Sequence, residues 1–170
     1  METRFENVTV STEEYLRSLF TVLFRKNMLK STLILSAGIA VYMGLLLDKG
    51  VKLHYIVFVV VCCVYIIGNV TRPRRLAKRE YLQQLEYYSN SIPPMTHRFY
   101  DTYLVSNDVD STHITPYHKL SQVRIEKGLI LLYRKDDRVY SMRTDGFTKG
   151  TLADFCQFIE MKTNMAIIQK

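Results

Sequence analysis

The sequence predicts an α+β chain in which a two-helix transmembrane hairpin carries a small antiparallel β-sheet domain closed by a C-terminal helix. Three observations predict it. Two uncharged apolar runs, residues 31–47 and 55–70, lie on either side of the polar turn Asp48-Lys49-Gly50-Val51-Lys52. From Met95 the apolar period changes from helical to alternating. A last stretch of helical spacing, residues 152–162, follows the alternating segments. The predicted organisation is a strand and amphipathic helix over 1–30, the hairpin over 31–70, a basic juncture helix and linker over 71–94, and the β domain over 95–170.

Residues 4–10 alternate as a short strand does. Ser11 or Thr12 can cap the helix that follows, with Glu13 and Glu14 favourable in its first turn. Tyr15, Leu16, Leu19, Phe20, Leu23 and Phe24 recur at the spacing of one apolar face, which predicts packing on the β domain or at an interface. No strong breaker lies between Ser11 and Leu47, so the helix is expected to continue into the first apolar run. Each run, wound at about 1.5 Å per residue, covers roughly 24–26 Å, close to a hydrocarbon thickness of about 30 Å. Neither has the polar stripe of a half-buried core helix.

Basic residues set the expected orientation. Arg25, Lys26 and Lys30 precede the first run, and Arg72, Arg74, Arg75, Lys78 and Arg79 follow the second, against Lys49 and Lys52 in the turn. The positive-inside bias then predicts both termini in the cytoplasm. About thirty largely polar residues, including Glu2, Glu6, Glu13 and Glu14, precede the first run, which argues against a cleaved leader. Cys62, Cys63 and Cys156 offer no disulfide framework, in keeping with a reducing compartment.

The net charge of +7 is unevenly placed. Residues 71–94 hold five Lys/Arg and two Asp/Glu, a net +3, whereas residues 95–170 hold eleven and nine, a net +2. The charge is concentrated in the juncture, where it suits anionic headgroups, and no aromatic-rich basic face points to nucleic acid. Pro73 is expected to kink the chain ahead of a separate juncture helix over 74–88, which Asn90 to Pro94 ends.

In the β domain, residues 97–105 supply one or two strands, and Asn107-Asp108-Val109-Asp110 turns the chain into 111–115. A connecting turn at Tyr117-His118-Lys119-Leu120 leads to a meander over 121–126, 129–134 and 138–143, with turns at Lys127-Gly128 and Lys135-Asp136-Asp137. Val123, Ile125, Leu129, Leu131, Tyr133 and Val139 are candidate core positions, and Ile130 and Leu132 suggest a strand covered on both faces. Thr144-Asp145-Gly146 stops the sheet. Thr151 and Asp154 stand at capping-box spacing before the closing helix, whose inward stripe is Leu152, Phe155, Cys156 and Ile159.

This order of elements, with Pro116-Tyr117-His118-Lys119-Leu120-Ser121-Gln122-Val123-Arg124-Ile125-Glu126, Leu129-Ile130-Leu131-Leu132-Tyr133, a strand ending at Met142 and the helix over 152–162, resembles the YcxB-like family of small bacterial membrane proteins. The likeness is strongest over residues 95–163. Met142-Arg143-Thr144-Asp145-Gly146 departs from the Ile-Pro-like strand end that the family usually shows. The resemblance implies a pleckstrin-homology-like sheet domain and a bacterial inner-membrane location, but no activity.

Candidate chemistry is sparse. His113 and His118 with Asp108 and Asp110 form the one group resembling metal ligands, without HExxH or paired CxxC spacing, so no metal or other cofactor is expected. Ser106, Ser111, Ser121 and Cys156 lack the turn and base that nucleophilic catalysis needs. Ser36, Ala40 and Gly44 recur every four residues as a helix-packing face, for the hairpin's own second helix or for another chain. The leading expectation is a non-enzymatic inner-membrane protein whose cytoplasmic β domain binds a protein partner, as an immunity or regulatory factor. An alternative is anionic-lipid sensing through Arg72, Arg74, Arg75, Lys78 and Arg79, and a third is an unrecognised hydrolase.

Overall fold

The computed structural model describes residues 2–46, 52–108 and 111–169. The chain opens with β1 (Phe5–Thr9) and enters α1 (Glu13–Leu46), where the Thr12 hydroxyl accepts from the Tyr15 amide at 3.1 Å. After α2 (Lys52–Tyr87) come β2 (Met95–Phe99), β3 (Tyr103–Asn107) and β4 (Thr112–Pro116). A 3-10 turn, Tyr117–Lys119, leads to β5 (Leu120–Glu126), β6 (Leu129–Arg134), β7 (Val139–Arg143) and β8 (Phe147–Lys149). The chain closes with α3 (Leu152–Thr163) and β9 (Ile168–Gln169).

Nine strands form two sheets among the described residues. One runs β4-β3-β2-β1-β8 and is antiparallel throughout; the other runs β7-β6-β5-β9, with β9 parallel to β5. Their facing sides share a core of Phe99, Leu104, Val123, Ile130, Leu132 and Met142, into which α3 lowers Phe155 and Ile159. The helix is held by the expected cap: the Thr151 hydroxyl accepts from the Asp154 amide at 3.2 Å and donates to the Asp154 carboxylate at 2.7 Å. At one seam the Asn7 side-chain amide donates to the Arg143 carbonyl at 2.8 Å, and the Arg143 amide donates to the Thr9 hydroxyl at 3.1 Å. Side chains there do what a strand ladder does elsewhere.

The β5–β6 connection is a two-residue turn, with Lys127 at φ 52° and Gly128 at φ 73°, the left-handed pair that a tight hairpin favours. It delivers β6, whose Leu129, Ile130, Leu131 and Leu132 are all at most 2 % exposed. Ile130 and Leu132 face the other sheet, while Leu129 and Leu131 meet Tyr15, Leu16 and Val22 of α1 and Ala77 of α2. The amphipathic start of α1 thus roots the long helices on the outer face of the second sheet.

α1 and α2 pack antiparallel: the Tyr42 and Phe58 rings lie 4.6 Å apart, and nearer the root the Arg72 guanidinium sits 5.9 Å from the Phe24 ring. α2 passes through Pro73 without ending, correcting the separate helix expected over 74–88. A proline removes one helix donor, here the one facing the Asn69 carbonyl, and one turn earlier the Thr71 hydroxyl donates to the Ile67 carbonyl at 2.9 Å and Arg75 to the Gly68 carbonyl at 3.2 Å.

The expected transmembrane hairpin is also corrected. Among the described residues no helix is long and apolar enough to cross a membrane. The uncharged stretch of α2 gives way at Arg72 to turns that carry Arg74, Arg75, Lys78 and Arg79. The transmembrane assignment goes, and with it the inner-membrane location with cytoplasmic termini. The turn at 48–51 lies outside the described residues. Above the root Leu33, Ile34, Val61, Val64 and Ile67 are exposed, and apolar side chains gathered on one helix pair mark a contact surface.

The Thr144-Asp145-Gly146 stop is followed by β8, which pairs with β1; neither β8 nor β9 was expected. Cys62, Cys63 and Cys156 are free thiols.

Candidate functional site

A groove of about 390 Å³ forms where the end of α2 meets the first sheet. Glu80, Gln83, Gln84 and Tyr87 share one face of the helix by their three- and four-residue spacing. The helix then ends through two left-handed residues, Ser89 at φ 51° and Asn90 at φ 67°, with the Asn90 amide donating to the Leu85 carbonyl at 2.7 Å. That reversal folds Ile92 and Pro93 back beneath the tyrosines and delivers Met95 into β2. Asp108, after β3, and Ser11, ahead of α1, complete the wall.

The Tyr87 and Tyr88 rings meet edge to face at 4.8 Å, with Tyr87 72 % exposed. Glu80 is held by Gln84, whose amide donates to its carboxylate at 3.2 Å. The groove is therefore lined by an exposed aromatic ring, an apolar floor and the residues Glu80 and Asp108, with no Lys or Arg among the described residues of its lining. An exposed aromatic face beside carboxylates suits an ammonium or guanidinium group, and the floor suits the methylene stem behind it.

The residues expected to carry function are dispersed. Helical geometry fans the five juncture bases around α2: Arg72 stacks on Phe24, Arg75 bonds the Gly68 carbonyl, and Arg74 lines a separate cleft with Arg17 and Lys127. Lys78 and Arg79 are exposed. Ser36 is exposed and donates to the Leu33 carbonyl at 2.9 Å, while the side chains of Ala40 and Gly44 lie outside the described ones. His113 lies on β4 beside Ser111 at 3.2 Å, and His118 is exposed in the 3-10 turn; Asp110 lies outside the described residues. No group of three or more His, Cys, Asp or Glu that could hold a metal occurs among the described residues.

Sequence reasoning gave no functional role to Tyr87, Tyr88 or Glu80 and singled out Asp108 only beside the histidines as a candidate metal ligand. The local signal was the adjacent tyrosines before Asn90, but Asp108 enters only through the fold. No protein-family model matches the chain, and no curated protein matches it.

Proposed function

We propose that this chain is a non-enzymatic binding module that holds a protein partner by seating one of the partner's Lys or Arg side chains in the Tyr87 groove. The observation that carries the reading is the lining itself: two carboxylates and an exposed tyrosine without any basic residue, on a chain of net charge +7. A basic protein that keeps one concave aromatic site acidic selects cations there, against the repulsion of its remaining charge.

A cation–π contact is worth about 0.5–2 kcal/mol, so Tyr87→Ala is expected to weaken the partner roughly tenfold, and Glu80→Gln by a similar factor. The test places a photoreactive side chain at position 87 of the full chain in its native cells. One discrete protein adduct, lost when Glu80 and Asp108 are neutralised together, supports the reading. An adduct pattern indifferent to both carboxylates refutes it.

A further inference from the structure

The cleft of about 430 Å³ between α1, α2 and the β5–β6 turn has the opposite character, and it is independent of the tyrosine groove. Arg17, Ser18 and Thr21 come from one face of α1, Thr71 and Arg74 from the α2 turn that contains Pro73, and Lys127 from the hairpin turn. Lys127 takes a left-handed backbone, at φ 52°.

The three cations have no ion-pair partner among the described residues. The arginines of residues 95–170 differ in this, each lying within 4 Å of a carboxylate: Arg98 of Glu6, Arg124 of Glu126, Arg134 and Arg138 of Asp136, and Arg143 of Asp145. The one carboxylate in the cleft lining, Glu14, also borders an adjoining pocket and acts on Arg143. Two guanidinium-bearing side chains, one ammonium-bearing side chain and the Ser18 hydroxyl therefore line one concave space with a single opposing charge, while the Thr21 and Thr71 hydroxyls donate to the Arg17 and Ile67 carbonyls.

We propose that this cleft binds a phosphate ester. A tetrahedral dianion presents enough acceptor oxygens for both forks and the ammonium at once, whereas a single carboxylate leaves donors idle. The ester is carried by a small soluble molecule or by a lipid headgroup, which share this chemistry. Since Arg17, Arg74 and Lys127 are exposed, binding is screened by salt over a distance of about 10 Å at 0.1 M.

Titration calorimetry on the full chain in low salt, with inorganic phosphate, glycerol 3-phosphate and monomeric dihexanoyl phosphatidate, tests it. The probe variant is Arg17→Gln, Arg74→Gln, Lys127→Asn, the last chosen because asparagine tolerates a left-handed backbone. The control variant, Lys78→Gln, Lys119→Gln, Lys135→Gln, loses the same charge elsewhere. Saturable binding that falls at least tenfold in the probe variant and less than twofold in the control, both with wild-type circular dichroism, supports the proposal. Tighter binding of phosphatidate than of glycerol 3-phosphate then names the headgroup as the source, and equal or weaker binding names the soluble ester. If none of the three ligands binds saturably, or both variants lose affinity alike, the proposal falls. Should the probe variant misfold, the single changes Arg17→Gln and Arg74→Gln, each expected to cost about threefold, replace it, and unchanged affinity in both overturns the site.

Discussion

His97 is the residue whose surroundings depart most from its chemistry. It is 2 % exposed on β2, and among the described residues neither ring nitrogen has a hydrogen bond of good geometry; the Tyr140 ring lies edge-on at 6.2 Å. Burial drives its pKa from 6.5 down to about 4, opposed weakly by the Ser141 backbone and the Asp108 carboxylate. The unfolded chain takes up the proton near pH 6.5 and the native one only near 4. The stability due to the neutral ring is thus complete above 6.5 and lost as pH falls through that window, on the order of 3 kcal/mol in all. Urea unfolding at pH 7 and pH 4.5 should show a drop in wild type that shrinks by roughly 2 kcal/mol in His97→Gln. An identical drop in both proteins would show that another group controls the transition.

Between elements, the decisive contact is Arg25 on α1 with Glu126 at the end of β5, at 2.6 Å, with the carboxylate side chain only 3 % exposed. Arg124 stands 3.8 Å from the same group but at poorer range. Removing the arginine strands a buried charge, whereas replacing the pair does not. Arg25→Ala is expected to cost roughly 2 kcal/mol, below the usual 3–5 because the guanidinium itself is half exposed, and Arg25→Met with Glu126→Leu should recover most of it. A double-mutant cycle by chemical unfolding measures both. Such pairings also mark how far sequence could reach. β1, α1, the β5–β7 meander and α3 were legible because period, turn residues and caps agree locally. β8 and β9, three and two residues long, exist only because β1 and β5 offer them ladders. The juncture charge was legible, but not its scatter around α2, and the tyrosine groove draws on Ser11, Tyr87 and Asp108, which only the fold brings together.

Across the whole molecule, β6 serves two cores at once, so the helix root and the sandwich are expected to unfold together. Ile130→Ala and Leu131→Ala, opening cavities on opposite faces of one strand, should each cost about 2–5 kcal/mol while leaving a single urea transition by both fluorescence and circular dichroism. Two separated transitions would show that the helices and sheets are independent units. The seating of the helices also has a mechanical side. From Arg25 to its end at Leu46, α1 runs about 30 Å beyond the sheet contact, and the cationic cleft lies beside its base. A long helix pair on a short foot multiplies displacement: a tilt of about 5° of α1 and α2 together, where Glu126 grips Arg25, carries the far tip by about 3 Å. The cleft beside Lys127 thus lies at the short arm of this geometry, at the base of α1 rather than at its tip.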